Sequence, residues 1–227
     1  RLELSKRAEA FRKEALAVCT EISDIRRRCA DKLSEEMRHA LIDLNFQEVA
    51  FEIQVTSSQD LISGNGFDKA AFLISTNAGE RLRDLAQAAS GGELSRIMLA
   101  LKTVLADKDD IDAVIFDEID VGVSGRTAQM VSEKMAGLGL KRQILCITHL
   151  PQIASMADTH FIIEKTTDGQ KTKTGIRELT KEGAVQEIAR MLGGVEITDK
   201  VVESASEMKA MADKKKQEVF ARENEKC

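Results

Sequence analysis

The stretch AVIFDEID, residues 113–120, joins four mostly apolar residues to the carboxylates Asp117, Glu118 and Asp120. Carboxylates at the end of a buried strand repel one another and resist dehydration, so their presence needs a reason. Asp117 can hold Mg²⁺ directly or through water, because Mg²⁺ takes few carboxylates and keeps several waters. Glu118 faces the other side of the strand and can polarise a water that attacks a phosphate. The structural alternative is a pair of carboxylates that only caps the following loop.

A second stretch, ASGGELSR at residues 89–96, predicts a helix start, since Ser90 and Glu93 have the spacing of a capping box. A capped helix alone does not explain Gly91 and Gly92, because glycine weakens a helix start. Two adjacent glycines expose backbone N–H groups at the helix N-terminus, where the helix dipole favours an anion. The pattern therefore allows either a plain capped helix or a phosphate-binding N-terminus.

The third stretch, ITHL at residues 147–150, places His149 directly after an apolar run. A lone histidine is often structural. However, ligands of open α/β sheets gather at the carboxyl ends of the strands, where His149 and Glu118 are both expected. His149 could then hydrogen-bond a γ-phosphate or the attacking water.

Strand and helix patterns around these segments indicate an α/β layer. Residues 112–118 and 142–148 read as strands of the continuous apolar kind that parallel sheets bury on both faces. A helix is predicted between them at residues 124–138, and another before them at 92–105. Strand–helix–strand alternation is typical of a parallel sheet with covering helices.

The flanking regions are also patterned. Residues 1–44 predict one long helix whose apolar seam has coiled-coil spacing, although an amphipathic helix lying on its own domain would look similar. The chain begins with Arg1 inside this helical pattern, so we expect a piece of a longer protein. The remaining predicted elements are strands at 49–55 and 70–76, a short helix at Pro151, a hairpin of 159–165 and 173–179 joined around Asp168-Gly169, and helices at 182–194 and from 199 onward.

Composition narrows the function classes. Only 4% of the 227 residues are aromatic, which argues against a stacking platform for single-stranded nucleic acid. The formal net charge of -5 shows no global preference for nucleic acid, and the basic runs 26–28 and 214–216 are interpreted as ordinary solvated helix faces. Four cysteines without a C-x-x-C pair suggest reduced thiols in a cytosolic protein. No apolar run reaches membrane-spanning length, so no membrane partner is expected.

The order of the three chemical segments carries a resemblance. A glycine-rich helix start, a strand ending in Asp-Glu and a strand ending in His follow one another in the C-terminal half of ABC-type ATPase heads. SGGE resembles the ABC signature, VIFDE the Walker B segment and THL the switch-histidine region. The similarity runs over residues 89–154, and the helix before it fits a coiled-coil arm.

Longer segments resemble the RecN family of bacterial DNA double-strand-break repair ATPases, which are related to SMC proteins. These segments are ASGGELSRIMLALK, FDEIDVGVSGRTA and ITHLPQIA. The resemblance implies a coiled-coil arm helix over residues 1–44 and the C-terminal lobe of an ABC/SMC-type P-loop NTPase head over 45–227. The implied fold is α/β with mainly parallel core strands.

The resemblance also implies roles. Two heads of the family enclose two ATP molecules, so Asp117 would bind Mg²⁺, Glu118 would be the general base and His149 would sense the γ-phosphate. The signature would contact the ATP of the opposite head in trans, and its residues are Ser90, Gly91, Gly92 and Glu93. Head closure in a homodimer would be coupled to DNA ends or single-stranded regions, in the bacterial cytoplasm at the nucleoid.

Two departures bear on this resemblance. Most ABC proteins have an aspartate seven residues after the Walker B aspartate, but that position is Ser124 here, which leaves Asp120 or Ser124 as the D-loop residue. None of the 14 glycines is followed by Lys, so the phosphate-binding Walker A loop is absent. We therefore expect the missing N-terminal half to supply it, and this chain alone to have little ATPase activity. The alternatives are another SMC-like chromosome or nuclease-partner ATPase head, and a non-catalytic coiled-coil adaptor.

Overall fold

The computed structural model describes residues 2–77, 79–88, 90–168, 171–194 and 196–224. The chain divides into two compact units, residues 1–90 and 91–227. In chain order the elements are α1 Leu2–Ile42, β1 Ala50–Ser57, a 3-10 turn Gln59–Leu61, β2 Asp68–Ser75, β3 Arg83–Asp84, α2 Leu85–Ala88, α3 Gly91–Val104, β4 Ala113–Phe116, α4 Gly125–Gly139, β5 Gln143–Cys146, α5 Pro151–Ala154, β6 Phe161–Asp168, β7 Lys171–Glu178, α6 Lys181–Gly193 and α7 Asp199–Asn224.

The first unit packs the C-terminal half of α1 against an antiparallel sheet of order β1-β2-β3. β1 and β2 pair along their whole length, from Ala50 opposite Ser75 to Ser57 opposite Asp68. The alternation of apolar residues predicted a half-buried strand here, and Phe51 and Ile53 are indeed buried while their neighbours are exposed. The core of this unit therefore lies between one sheet face and the second half of α1.

Helix α1 combines features of both interpretations of its sequence. Its C-terminal half lies on its own unit, because Met37 and Leu41 are completely buried. In the N-terminal half, large apolar residues at heptad spacing stay more than half exposed, and they are Leu4, Phe11, Val18 and Ile25. Such a stripe has the spacing of a coiled-coil seam.

A buried carboxylate ties α1 to the end of the first hairpin. Asp68, whose side chain is 3% exposed, accepts hydrogen bonds from Ser23 Oγ at 2.5 Å and Ser57 Oγ at 2.8 Å. Arg26 Nη1 completes the cluster at 2.9 Å from Asp68 Oδ2. These bonds, chiefly the one from Ser23, hold the pKa of Asp68 below its ordinary value. One arginine of the basic run 26–28 is thus a structural partner.

The second unit carries the parallel pair β4 and β5, whose register runs from Ala113 opposite Gln143 to Phe116 opposite Cys146. Helix α3 precedes β4, helix α4 connects β4 to β5, and the two helices pack on each other. Their shared apolar side chains are buried, and the completely buried ones include Ile97, Leu99 and Val131. The predicted strand–helix–strand arrangement is confirmed for this part of the chain, whereas the other described strand pairings are antiparallel.

The remainder of this unit is a hairpin of β6 and β7 and a helical layer of α5, α6 and α7. The hairpin pairs Phe161 with Glu178 and Asp168 with Lys171, while Gly169 of the predicted turn lies outside the described residues. Helices α6 and α7 share a small apolar core around Ile188 and Ala205. The helix predicted at Pro151 is confirmed as α5.

Two further sequence predictions can be compared with the structure. The basic run 214–216 was interpreted as a solvated helix face, but Lys215 lies near Glu133 and Glu218 and Lys216 pairs with Asp158, so these two lysines are largely covered and paired within the chain. The division into an arm over 1–44 and a head lobe over 45–227 stays a prediction. None of the described helices is both long and apolar enough to cross a membrane.

Candidate active site

The parallel pairing of β4 and β5 brings two of the predicted chemical segments to one edge. β4 ends at Phe116 and β5 ends at Cys146, and these two residues are opposite each other in the register. The pairing continues one residue further, since Ile147 N donates to Phe116 O at 3.0 Å. Asp117 and Glu118 therefore leave β4 at the edge where the segment leading to His149 leaves β5, as expected for carboxyl ends of parallel strands.

Asp120 joins these two strand ends through a single oxygen. Its Oδ2 accepts a hydrogen bond from Thr148 Oγ1 at 2.6 Å and from the backbone N of His149 at 2.9 Å. The ring Nδ1 of His149 lies 3.0 Å from the same oxygen. Asp120 is buried, whereas the His149 side chain is 72% exposed. The D-loop role expected of Asp120 or Ser124 stays a prediction.

Glu118 has an unusual backbone and a close neighbour. Its φ of 57° lies in the left-handed region that non-glycine residues seldom adopt. Such backbone strain occurs most often at functional sites. Its carboxylate lies at the first residue of α3, because a Cβ added to Gly91 would be 2.7 Å from Glu118 Oε2. The structure thus brings the predicted general base beside the first glycine of the predicted signature.

The second glycine, Gly92, fits tightly against backbone rather than against a side chain. A Cβ at this position would lie 2.7 Å from Val121 O and 3.1 Å from Glu118 O. Close approach of two backbones is one of the reasons for which a chain needs glycine. The glycine pair therefore has a packing role that the sequence alone did not reveal.

Two residues of α3 that the sequence analysis did not select also bind the loop after β4. Ser95 Oγ donates to Asp117 O at 2.9 Å, and Arg96 Nη1 donates to Val121 O at 3.1 Å. Burial lowers the pKa of the Arg96 guanidinium, and the nearby charge of Glu93 opposes that shift. In the sequence, the only sign of this buried arginine is a positively charged residue within an otherwise apolar helix face, and that sign does not identify its partner.

The other predicted residues lie at helix starts. Ser90 directly precedes α3, which begins at Gly91, one residue before the predicted start. Ser124 is the N-cap residue of α4 and is exposed, and its side chain makes no capping hydrogen bond. Of the two D-loop candidates, Ser124 is therefore the accessible one.

Asp117 is exposed, and its Oδ1 accepts a hydrogen bond from the backbone N of Glu118 at 2.9 Å. Among the described residues no group of three or more His, Cys, Asp or Glu side chains could hold a metal ion. One carboxylate nevertheless fits Mg²⁺, which often takes one or two carboxylates and fills its octahedron with water and substrate phosphate. Asp117 can hold such an ion only as a member of a shared site.

The pKa of the Cys146 thiol reflects both burial and the negative charge at this edge. Burial raises the pKa of its thiol to about 12, and the negative charges of Asp120 and Asp117 add to the effect. A thiol in this environment stays protonated and unreactive at neutral pH.

Comparison with known proteins shows extended similarity to bacterial DNA repair proteins named RecN. The chain is 40% identical over 227 residues to RecN of Bacillus subtilis, covering 94% of this chain and 39% of that protein. Over most of its length, the chain is homologous to RecN. The identity to RecN of Vibrio cholerae is 37% over 205 residues, covering 90% of this chain and 37% of that protein. The identity to RecN of Treponema pallidum is 43% over 174 residues, covering 74% of this chain and 30% of that protein.

The chain spans about two fifths of the length of the RecN relatives it matches. No protein-family model matches it. One solved structure, from work on ATP-driven dimerization and DNA-stimulated activation of SMC ATPases, is similar with a TM-score of 0.45 at 16% identity, covering 75% of this chain and 97% of that one. An SMC head bound to the C-terminal winged-helix domain of ScpA gives a TM-score of 0.49 at 18% identity, covering 75% and 49%. The RecN similarity rests on sequence, and these two structural similarities add no argument to it.

Proposed function

We propose that this chain is the C-terminal part of a RecN-type DNA repair protein and forms one lobe of its ATPase head. The observation that carries the proposal is the parallel pairing of β4 with β5, since it brings Glu118 and His149 to one sheet edge. The RecN relatives support the assignment, because they match most of this chain. The whole protein would act on DNA ends or single-stranded regions in the bacterial cytoplasm, at the nucleoid.

Incomplete burial of the parallel pair supports a second lobe. Parallel sheets are normally covered on both faces. Here Ile115 is 69% exposed, Leu145 45% and Ile147 53%, and these alternate residues share one face. We propose that the rest of the protein covers this face and brings the phosphate-binding loop that the chain lacks. The exposed heptad stripe of α1 would likewise receive the other strand of a coiled-coil arm.

The proposed chemistry is hydrolysis of ATP at the strand ends. Mg²⁺ would neutralise charge on the phosphates, with Asp117 as its carboxylate ligand. Glu118 would accept a proton from the attacking water, a contribution of about 10²–10⁴ in rate. His149, exposed at the same edge, would contact the water or the γ-phosphate.

Two heads would form a homodimer around two ATP molecules. The signature of one head, Ser90 to Glu93, would then contact the ATP held by the other. Glu118 at present lies against Gly91 of its own chain, so its carboxylate would leave Gly91 when a γ-phosphate approaches the α3 N-terminus. Binding of ATP would close the heads and hydrolysis would open them.

ATP turnover should be compared between this chain and the full-length protein. We expect the chain alone to show little or no turnover, and the full-length protein to lose about 10²–10⁴ of its rate on Glu118→Gln while its ATP-bound dimer persists longer. Glu164→Gln, a change of the same chemistry in a half-exposed hairpin ion pair with Arg177, is the matched control and should keep the wild-type rate. Robust turnover by the chain alone, or a Glu118→Gln protein as fast as wild type, would contradict the proposal.

A further inference from the structure

The contact between Asp120 and His149 is the feature of the site with the most defined geometry. Two hydrogen bonds converge on one oxygen, Asp120 Oδ2, at 2.6 and 2.9 Å, and the ring Nδ1 of His149 lies 3.0 Å from the same atom. The two hydrogen-bond donors are the Thr148 hydroxyl and the backbone N of His149. Asp120 itself is only 4% exposed.

Burial of a carboxylate is costly unless its oxygens are well satisfied. All of these contacts come from the segment after β5, while Asp120 lies in the loop after β4. The bonds therefore fix the end of one parallel strand to the loop of its neighbour.

The ring contact determines which nitrogen of His149 carries hydrogen. An ionised carboxylate can only accept hydrogen bonds. Nδ1 is the ring nitrogen that faces this carboxylate, at 3.0 Å from Asp120 Oδ2, so in a neutral ring we expect the hydrogen on Nδ1. Nε2 is then left with its lone pair on a side chain that is 72% exposed.

We propose that Asp120 is a positioning residue that holds His149 in the Nδ1–H tautomer and presents Nε2 as a hydrogen-bond acceptor. This inference rests on the proposed function, and it selects the partner of His149 within it. An acceptor nitrogen suits the attacking water, which has hydrogens to donate, and does not suit a phosphate oxygen, which has none. His149 accordingly orients water, with Asp120 behind it.

The tautomer can be read directly, without any ATPase assay. The chain contains three histidines, so ¹⁵N-labelled imidazole signals are few, and the His149→Gln variant assigns the one of interest. At a pH where the ring is neutral, we expect wild-type His149 in the Nδ1–H form. A predominant Nε2–H form in the wild-type protein overturns the proposal without any variant of Asp120.

Asp120→Asn tests the cause, since it keeps the shape of the side chain and removes the charge. We expect the Nδ1–H population to fall in this variant. Thr148→Val is the matched control, because it removes another donor to the same oxygen and leaves the ring contact intact. It should keep the wild-type tautomer. Equal changes in both variants would mean that general loosening of the loop, rather than the carboxylate, sets the tautomer.

Activity in the full-length protein separates positioning from a structural role. We expect Asp120→Asn to lower kcat by about 10–100-fold, the usual range for a group that orients a functional histidine, with little change in the KM for ATP. In the His149→Gln background, Asp120→Asn should cause no further loss, whereas independent structural damage would add. A wild-type full-length protein without ATPase activity would refute the proposed function and leave the tautomer result standing, so the two failures are distinguishable.

Discussion

The packing of Gly92 gives the sharpest stability prediction. Replacing it by alanine places a Cβ 2.7 Å from Val121 O, 3.0 Å from Val121 Cβ and 3.1 Å from Glu118 O. Two of these atoms belong to backbone. Moving Val121 O away would also break the hydrogen bond that it accepts from Arg96. The steric strain therefore cannot be relieved without moving backbone atoms.

Gly91→Ala is the internal control, one residue away in the same helical turn. Its added Cβ would meet only the Glu118 carboxylate, the end of an exposed flexible side chain that can rotate aside. Both substitutions gain the same helix propensity, at most about 1 kcal/mol. That gain cancels in the comparison, so the difference between the variants isolates the steric cost, about 1–3 kcal/mol for overpacking.

Urea and thermal unfolding of the two variants measure this difference. A free-energy change of 1 kcal/mol corresponds to roughly 2–4 °C in Tm for a chain of this size, so Gly92→Ala should unfold at least about 2 °C below Gly91→Ala. Circular dichroism should show the same helix content in both folded proteins. If Gly92→Ala is as stable as Gly91→Ala, the close approach of α3 to the loop after β4 is wrong.

Two further predictions concern buried groups elsewhere. Asp68→Asn should destabilise the first unit by about 1–3 kcal/mol, because it removes the charged acceptor of Ser23, Ser57 and Arg26. The control Asp24→Asn, in an exposed pair with Arg27, should cost less than about 1 kcal/mol. Since the pKa of Asp68 is lowered in the folded protein, its contribution to folding stability is complete above the ordinary carboxyl pKa and is lost as pH falls through the lowered value. A wild-type acid unfolding curve identical to that of Asp68→Asn would contradict this. A maleimide reagent at pH 8 should modify exposed Cys29 well before Cys146, whose thiol has a pKa of about 12; peptide mapping that finds equal rates would refute the protected environment.

The sequence predicted most elements because their patterns are local. Alternating apolar residues identified β1, and the capping-box spacing placed the start of α3 within one residue of its observed position. The parallel pairing of β4 and β5 followed from their continuous apolar runs and the helix between them. Where the pattern was weak, as between β2 and α3, no element was assigned, and the short elements β3 and α2 were missed.

The chemistry of the site was predicted by residue type, but its contacts were not. Nothing local to Asp120 distinguishes a loop carboxylate from one that binds Thr148 and His149 more than 25 residues later. The left-handed backbone of Glu118 and the role of Arg96 depend in the same way on contacts distant in sequence. Residue spacing predicts which groups share an edge, while the partner of each group depends on how the loops close over it.

The contacts between α3 and the loop after β4 have a consequence for the proposed dimer. Gly92, Ser95 and Arg96 clamp that loop within one chain. In a two-headed assembly, the α3 N-terminus would serve one ATP and the clamped loop the other. A phosphate that moves the α3 N-terminus would then also move the loop after β4, so ATP bound at one site would alter hydrolysis at the other site. The clamp thus offers a short physical route to cooperativity between the two sites.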